Sequence, residues 1–212
     1  MCKRDEVEYI KTFNKEDLLY VTISYHIAPS ILEDKPSTML TFSKDDRDLY
    51  KLWKKYGNEY IKLMDIEAFE LAEDDKKCTV LFYEKQKLEK IIFNNENMQF
   101  LKNFGYNNFY NLTRYLNHLR DRFKVCCPHE MGIFLGIPLK DVQVFICGEN
   151  KDCLLCGYWK VYYNEKEARD TFIAYDKAKE KVIDFIKTYD KMDVKKFKKF
   201  MELQRKNSLY IH

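Results

Sequence analysis

Glycine and proline are scarce in this chain, with six glycines and four prolines among 212 residues. These residues interrupt helices and strands and are common in linkers, so their scarcity predicts mostly regular structure with short connections. Tyrosine and phenylalanine are abundant, at 16 and 15, and a chain of this length can bury a substantial core. We therefore expect a single compact domain.

Helical and extended apolar patterns alternate along the sequence. Leu18 to His26 is predicted to be a short helix that Pro29 stops, and a long amphipathic helix is expected from Glu165. Strands are predicted at 36–43, 60–69, 78–83 and 157–163. The expected class is α/β or α+β, with a mixed sheet of about four strands and flanking helices. Residues 1–186 are assigned to this domain, and residues 187–212 to a basic helical extension rich in lysine.

The charge pattern argues against two classes of partner. Basic and acidic residues number 37 and 34 and are interleaved, so the net charge of +3 gives no reason to expect nucleic acid. The lysines of 187–206 are explained by a solvated amphipathic helix. No apolar stretch approaches the length of a membrane span, and no hydrophobic run of the signal-peptide type follows Met1. We expect a cytoplasmic protein without a membrane partner.

Five of the seven cysteines lie between Cys126 and Cys156. Cytoplasmic thiols stay mostly reduced, so an odd number of irregularly spaced cysteines suggests ligands, redox thiols or core residues rather than disulfides. Cys153 and Cys156 have the spacing of a metal knuckle, in which two thiolates share one tetrahedral ion and the following glycine, here Gly157, lets backbone amides turn toward the sulfur atoms. The predicted remaining ligands are His129 with Cys126 or Cys127, and zinc or iron is the candidate metal.

Three other interpretations of these cysteines stay open. Cys153 and Cys156 could cycle as a redox dithiol, although in thioredoxin-like sites the nucleophilic cysteine begins a helix and here a strand is expected to follow. Cys127 before Pro128 could be an axial thiolate ligand of haem, which is weaker because the motif has two residues. Cysteine is also a frequent core residue, so all of them could simply pack.

Four further side chains are candidates for catalysis, although no sequence motif fixes a reaction. His129 and Glu130 could act as an acid and base pair, whereas a Glu130 that stabilises a helix N-terminus is the favoured alternative. His26 and Lys35 lie around a predicted turn and could bind an anion, with a capped turn as the structural alternative. The chain could also be an adaptor without chemistry, because aromatic residues are enriched at binding interfaces.

Three segments of this sequence resemble the DUF3793 family of uncharacterised proteins from anaerobic Firmicutes (Clostridia). They are His26-x-Ala28-Pro29 with Lys35-Pro36-Ser37, Pro128-His129-Glu130-x-Gly132-Ile133-Phe134-Leu135-Gly136-x-Pro138-x-x-Asp141-Val142, and Cys153-x-x-Cys156-Gly157-Tyr158-Trp159-Lys160-Val161-Tyr162. The resemblance spans about Leu18 to Tyr175. It implies no activity, but it does imply a stand-alone cytosolic protein with a flavodoxin-like electron-transfer partner.

Overall fold

Helices dominate the computed structural model, which describes residues 3–13, 15–107, 110–148, 152–189 and 192–209. The helices are α1 (Lys3–Ile10), α2 (Lys15–Leu32), α3 (Leu49–Met64), α4 (Lys85–Ile92), α5 (Asn95–Lys102), α6 (Leu112–Phe123), α7 (Met131–Phe134), α8 (Leu139–Cys147), α9 (Glu165–Tyr189) and α10 (Val194–Leu209). The strands are β1 (Ser37–Ser43), β2 (Glu67–Glu73), β3 (Lys77–Tyr83), β4 (Leu155–Cys156) and β5 (Lys160–Val161).

The central sheet has the strand order β1–β3–β2, and both neighbouring pairs are antiparallel. Successive side chains of β3 point to opposite faces of the sheet. Val80 and Phe82 enter a core formed with α2, α3, α9 and α10, whereas Leu81 enters a second core formed with α4 to α8. The sheet is thus a middle layer between two layers of helices, which confirms the expected mixture of helices and strands and makes the fold α+β.

The predicted mixed sheet of about four strands differs from the sheets of the described residues. These are one antiparallel sheet of three strands and a separate hairpin of β4 and β5. The sequence interpretation placed a strand at 60–69, but α3 continues through Gly57 to Met64. A Cβ on Gly57 would lie 2.5 Å from Cε3 of Trp53, so this glycine makes room for the indole ring inside the helix rather than ending it.

Helix α2 also runs past its predicted end. Pro29 lies inside α2, which continues to Leu32, so the prediction of a short helix ending near His26 is wrong. Proline costs one backbone hydrogen bond in a helix. The buried side chains of α2 pack on α3, α9 and the sheet, and Lys87 Nζ donates to the carbonyl oxygens of Ser30 and Glu33 at 2.8 and 2.6 Å. The packing of α2 and this cap together offset the backbone hydrogen bond that is lost at Pro29.

The C-terminal helix α10 packs against α2 and α3. Phe197 and Met201 are buried in the same core as α2, and the proposed boundary between residues 186 and 187 falls inside α9. Residues 190–191 and 210–212 of the proposed extension lie outside the described residues. Among the described helices, none combines the length and apolar character needed to cross a membrane.

Candidate functional site

The cysteine hairpin, residues 153–161, presents one cysteine on its outer face. In the antiparallel pair of β4 and β5, Cys156 lies opposite Lys160, and both are exposed. Leu155 lies opposite Val161 on the other face, where Val161 packs with Ala168 and Phe172 of α9. Because side chains alternate across a strand, burial of one face of the hairpin fixes the other face toward solvent.

A buried carboxylate holds this hairpin in place. Asp141 in the first turn of α8 is 2% exposed. Its Oδ2 accepts a hydrogen bond from Trp159 Nε1 at 2.9 Å, and its Oδ1 accepts from the backbone N–H groups of Tyr162 and Tyr163 at 2.9 and 3.1 Å. Sequence reasoning missed this role, because the acidic residue after Pro138 resembles an ordinary charge in a helical first turn.

Gly157 has a different role from the one that the knuckle pattern suggested. The pattern assigned it to turning backbone amides toward the sulfur atoms. A Cβ on Gly157 would lie 2.2 Å from Cε2 of Phe172, so the glycine is needed where the hairpin approaches the α9 ring closely. Gly157 also donates its N–H to the Trp159 carbonyl oxygen at 3.1 Å, which closes the turn.

The predicted ligands upstream of the hairpin lie around the start of α7. Cys126, Cys127 and His129 are exposed, and the His129 ring meets the edge of the Phe145 ring with 5.3 Å between centroids. Desolvation raises the pKa of the Cys127 thiol, with smaller contributions from Cys126 and Glu130. The thiol therefore stays protonated unless a metal or a base takes its proton.

One group of three potential metal ligands within 4.8 Å of one another occurs among the described residues, and it is Glu70, Glu73 and Cys78. The predicted set of Cys126, Cys127, His129, Cys153 and Cys156 does not provide such a group.

The Glu70, Glu73 and Cys78 group already has a cation. Lys54 Nζ contacts Glu70 Oε1 at 3.2 Å and Glu73 Oε1 at 2.8 Å, and Trp53 Nε1 donates to Glu70 at 2.9 Å. Desolvation, followed by the charge of Glu70, raises the pKa of Cys78 to about 12. The thiol is neutral and the carboxylates are paired, so this group is an ion-pair network rather than a metal site.

Glu130 is a structural residue in this geometry. It occupies the N-cap position of α7, at the helix N-terminus as the capping interpretation expected, although its side chain makes no cap hydrogen bond. Its buried carboxylate forms an ion pair with the Arg122 guanidinium and accepts a hydrogen bond from the Tyr106 hydroxyl at 3.3 Å. A carboxylate this well paired and shielded stabilises the link between α6 and α7.

The other two catalytic candidates, His26 and Lys35, lie close to each other and to Lys179 of α9. Desolvation, followed by the charges of Lys179 and Lys35, lowers the pKa of His26 to about 4. Desolvation and Lys179 lower the pKa of Lys35 to about 7. A shift of this size in clustered groups is a feature of functional sites.

The three sequence segments that carry the family resemblance are neighbours in space. Ser37 Oγ donates to the Phe134 carbonyl oxygen at 2.7 Å, and Gly136 lies directly against Pro36, with a positive φ of 79°. Asp141 then joins the second segment to the cysteine hairpin. The segments therefore build one continuous region of the molecule.

The family model described as "Protein of unknown function (DUF3793)" matches residues 23–196. The chain belongs to the DUF3793 family. The match covers all three segments, while the origin in anaerobic Firmicutes stays a prediction. Neither a curated protein nor a solved structure matches the chain.

Proposed function

We propose that this DUF3793 protein binds a metal ion through the thiolates of Cys153 and Cys156, with zinc as the first candidate and iron as the second. The carrying observation is the exposure of Cys156 on a hairpin whose other face is buried and anchored. A cysteine that only packs would lie inward, as Cys78 does. Thiolate pairs separated by two residues suit a tetrahedral soft-metal site.

His129, Cys126 and Cys127 supply the remaining ligands in this proposal. All three are exposed, so their donor atoms are accessible to an ion. Because they do not gather with the hairpin cysteines in the described geometry, a shared ion would have to draw the two segments together. Metal binding commonly supplies the free energy for such local ordering.

The redox alternative is less well supported by the local structure. A dithiol cycle would convert the Cys153 and Cys156 disulfide plus two electrons and two protons into two thiols, with a flavodoxin-like protein as the proposed electron donor. The reactive thiol of such sites is usually activated by a helix N-terminus. Here Cys156 ends a strand and no helix begins at either cysteine.

The adaptor alternative has one observation in its favour. A groove of about 500 Å³ lies between α2, α10 and the start of α4, with apolar side chains that include Ile31, Phe82 and Met201. Such a groove could receive an apolar partner segment. The metal proposal is preferred because it also accounts for the exposed thiol of Cys156 and the partly exposed thiol of Cys153.

Elemental analysis of protein purified without oxygen tests the proposal. We expect about one zinc or iron per chain and its loss in the Cys153→Ser, Cys156→Ser double variant. Cys147→Ser is the matched control, because this exposed cysteine lies outside the hairpin. Metal-free protein, or a double variant that keeps its full metal content, would contradict the proposal. Variants of His129, Cys126 and Cys127 then show which of them completes the site.

A further inference from the structure

Three basic side chains from separate segments converge between α2 and α9, and we name His26, Lys35 and Lys179 the basic seam. His26 lies on α2, Lys35 in the connection to β1, and Lys179 on α9, which packs against α2. Lys179 Nζ lies 4.6 Å from the ring centroid of Tyr158 and 5.2 Å from that of Tyr25. The seam therefore borders the cysteine hairpin through Tyr158.

Lys35 has only neutral hydrogen-bond partners. Its Nζ donates to the Ser37 carbonyl oxygen at 2.7 Å and to Thr38 Oγ1 at 2.8 Å. Within the described ranges, no carboxylate forms an ion pair with Lys35 or with His26. A partly buried ammonium group usually has a negative partner, because the lost hydration is otherwise uncompensated.

Lys87 provides an internal comparison at the same end of α2. Like Lys35, it is partly buried and donates to two neutral oxygens, those of Ser30 and Glu33. Unlike Lys35, it also has a carboxylate, with Nζ at 2.9 Å from Glu84 Oε2. The fold can thus supply a counter-charge here, but the protein does not supply one to Lys35.

We propose that the basic seam binds a small oxyanion of the phosphate or sulfate type, which provides the negative charge that Lys35 lacks. Lys179 contributes a further positive charge from the opposite helix. The ammonium groups of Lys35 and Lys179 would give such an anion charge-assisted hydrogen bonds, and the neutral imidazole of His26 could donate one further N–H. This inference rests on a different set of residues from the metal proposal and stands without it.

Binding should be coupled to proton uptake. The pKa of Lys35 is about 7 in the absence of an anion, and a negative charge beside it raises that value. Protons are therefore taken up when the anion binds near or above pH 7. The other titratable groups around the seam are Tyr25, Glu33, Asp34, Tyr158, Tyr175, Asp176 and Glu180.

Calorimetric titration of the full chain with inorganic phosphate tests the proposal. At about pH 7.5, experiments in two buffers of different ionisation enthalpy should reveal uptake of up to about one proton per bound phosphate. Lys35→Met should weaken phosphate binding at least about tenfold and abolish the uptake. Lys87→Met is the matched control and should leave both unchanged.

A charge-retaining variant separates binding from folding. Lys35→Arg keeps a permanent positive charge, so it should still bind phosphate but with less proton uptake than the unaltered chain. Absence of phosphate binding at about 10 mM, or equal affinity of the unaltered chain and Lys35→Met, would overturn the proposal.

Discussion

Cys78 and Cys156 are both strand cysteines with a lysine nearby, yet the protein treats them in opposite ways. Cys78 lies on the central strand of the sheet and is fully buried, with Lys54 already bound to the neighbouring glutamates. Cys156 lies on a two-stranded hairpin covered on one face only, and it is exposed opposite Lys160. The number of layers around a strand therefore decides whether its thiol packs or is available to a ligand.

The largest effect is expected when the support of the hairpin is removed. Asp141→Ala deletes the acceptor of three hydrogen bonds and leaves two backbone N–H groups without it. We expect a loss of about 3 kcal/mol in the free energy of unfolding, measured by urea denaturation. Asp141→Asn keeps an acceptor oxygen and should lose less. Equal stability of Asp141→Ala and the unaltered chain would contradict the anchoring role.

Close packing under the hairpin should have the next largest effect. Gly157→Ala places a Cβ against the Phe172 ring and should cost about 2 kcal/mol. Phe172→Leu in the same chain removes the ring edge and should recover part of this loss. A double-mutant cycle measures this coupling, and additive effects of the two substitutions would show that they do not meet.

Serine substitution compares the two cysteines directly. Cys78→Ser replaces a fully buried thiol with a hydroxyl, which costs more to remove from water, and should lower the free energy of unfolding by about 1 to 2 kcal/mol. Cys156→Ser should change the stability of the metal-free protein by no more than about 0.5 kcal/mol, since surface substitutions rarely do more. A larger loss of stability in Cys156→Ser than in Cys78→Ser, measured by denaturation, would contradict the proposed roles of the two cysteines.

The smallest effect concerns alkaline pH. The folded state holds the Cys78 proton to about pH 12, against an ordinary pKa of 9.0. Below pH 9 the protonated Cys78 thiol contributes its full stabilisation. As the pH rises from 9 toward 12, the unfolded state loses this proton before the folded state does, so the free energy of unfolding falls. Cys78→Ala should lack this pH-dependent part of the stability. The difference in free energy of unfolding between the unaltered chain and Cys78→Ala, measured from about pH 8 to about pH 9.5, separates the titration of this thiol from that of the tyrosines. A constant difference would contradict it.

Local patterns predicted much of this fold. The strands predicted at 36–43 and 78–83 agree with β1 and β3, because their alternating apolar residues and flanking turns indicate the two-residue period of a strand. Gly57 and Pro29 misled the interpretation for different reasons. At Gly57 the ring of Trp53, four residues earlier in the same helix, fills the space that a Cβ would need, and the lysine cap of α2 comes from a distant helix.

The candidate site shows the same limit. The sequence singled out Cys153, Cys156, His26 and Lys35, whose residue types and spacing carry chemical signals by themselves. It could not place Lys179 or Asp141, since an ordinary charge on a helix becomes informative only when another segment approaches it. Nor could it reveal that Glu130 pairs with Arg122, because that contact depends on how α6 meets α7.

Thiol labelling resolved by residue, with and without zinc, tests the central claim most directly. In metal-free folded protein, mass spectrometry should find Cys153 and Cys156 labelled by iodoacetamide much faster than Cys78, whose thiol is buried and protonated. One equivalent of zinc should protect the hairpin pair and leave the exposed Cys147 reactive. Labelling of Cys156 as slow as that of Cys78, or no protection by zinc, would contradict a hairpin that presents its thiols to a metal.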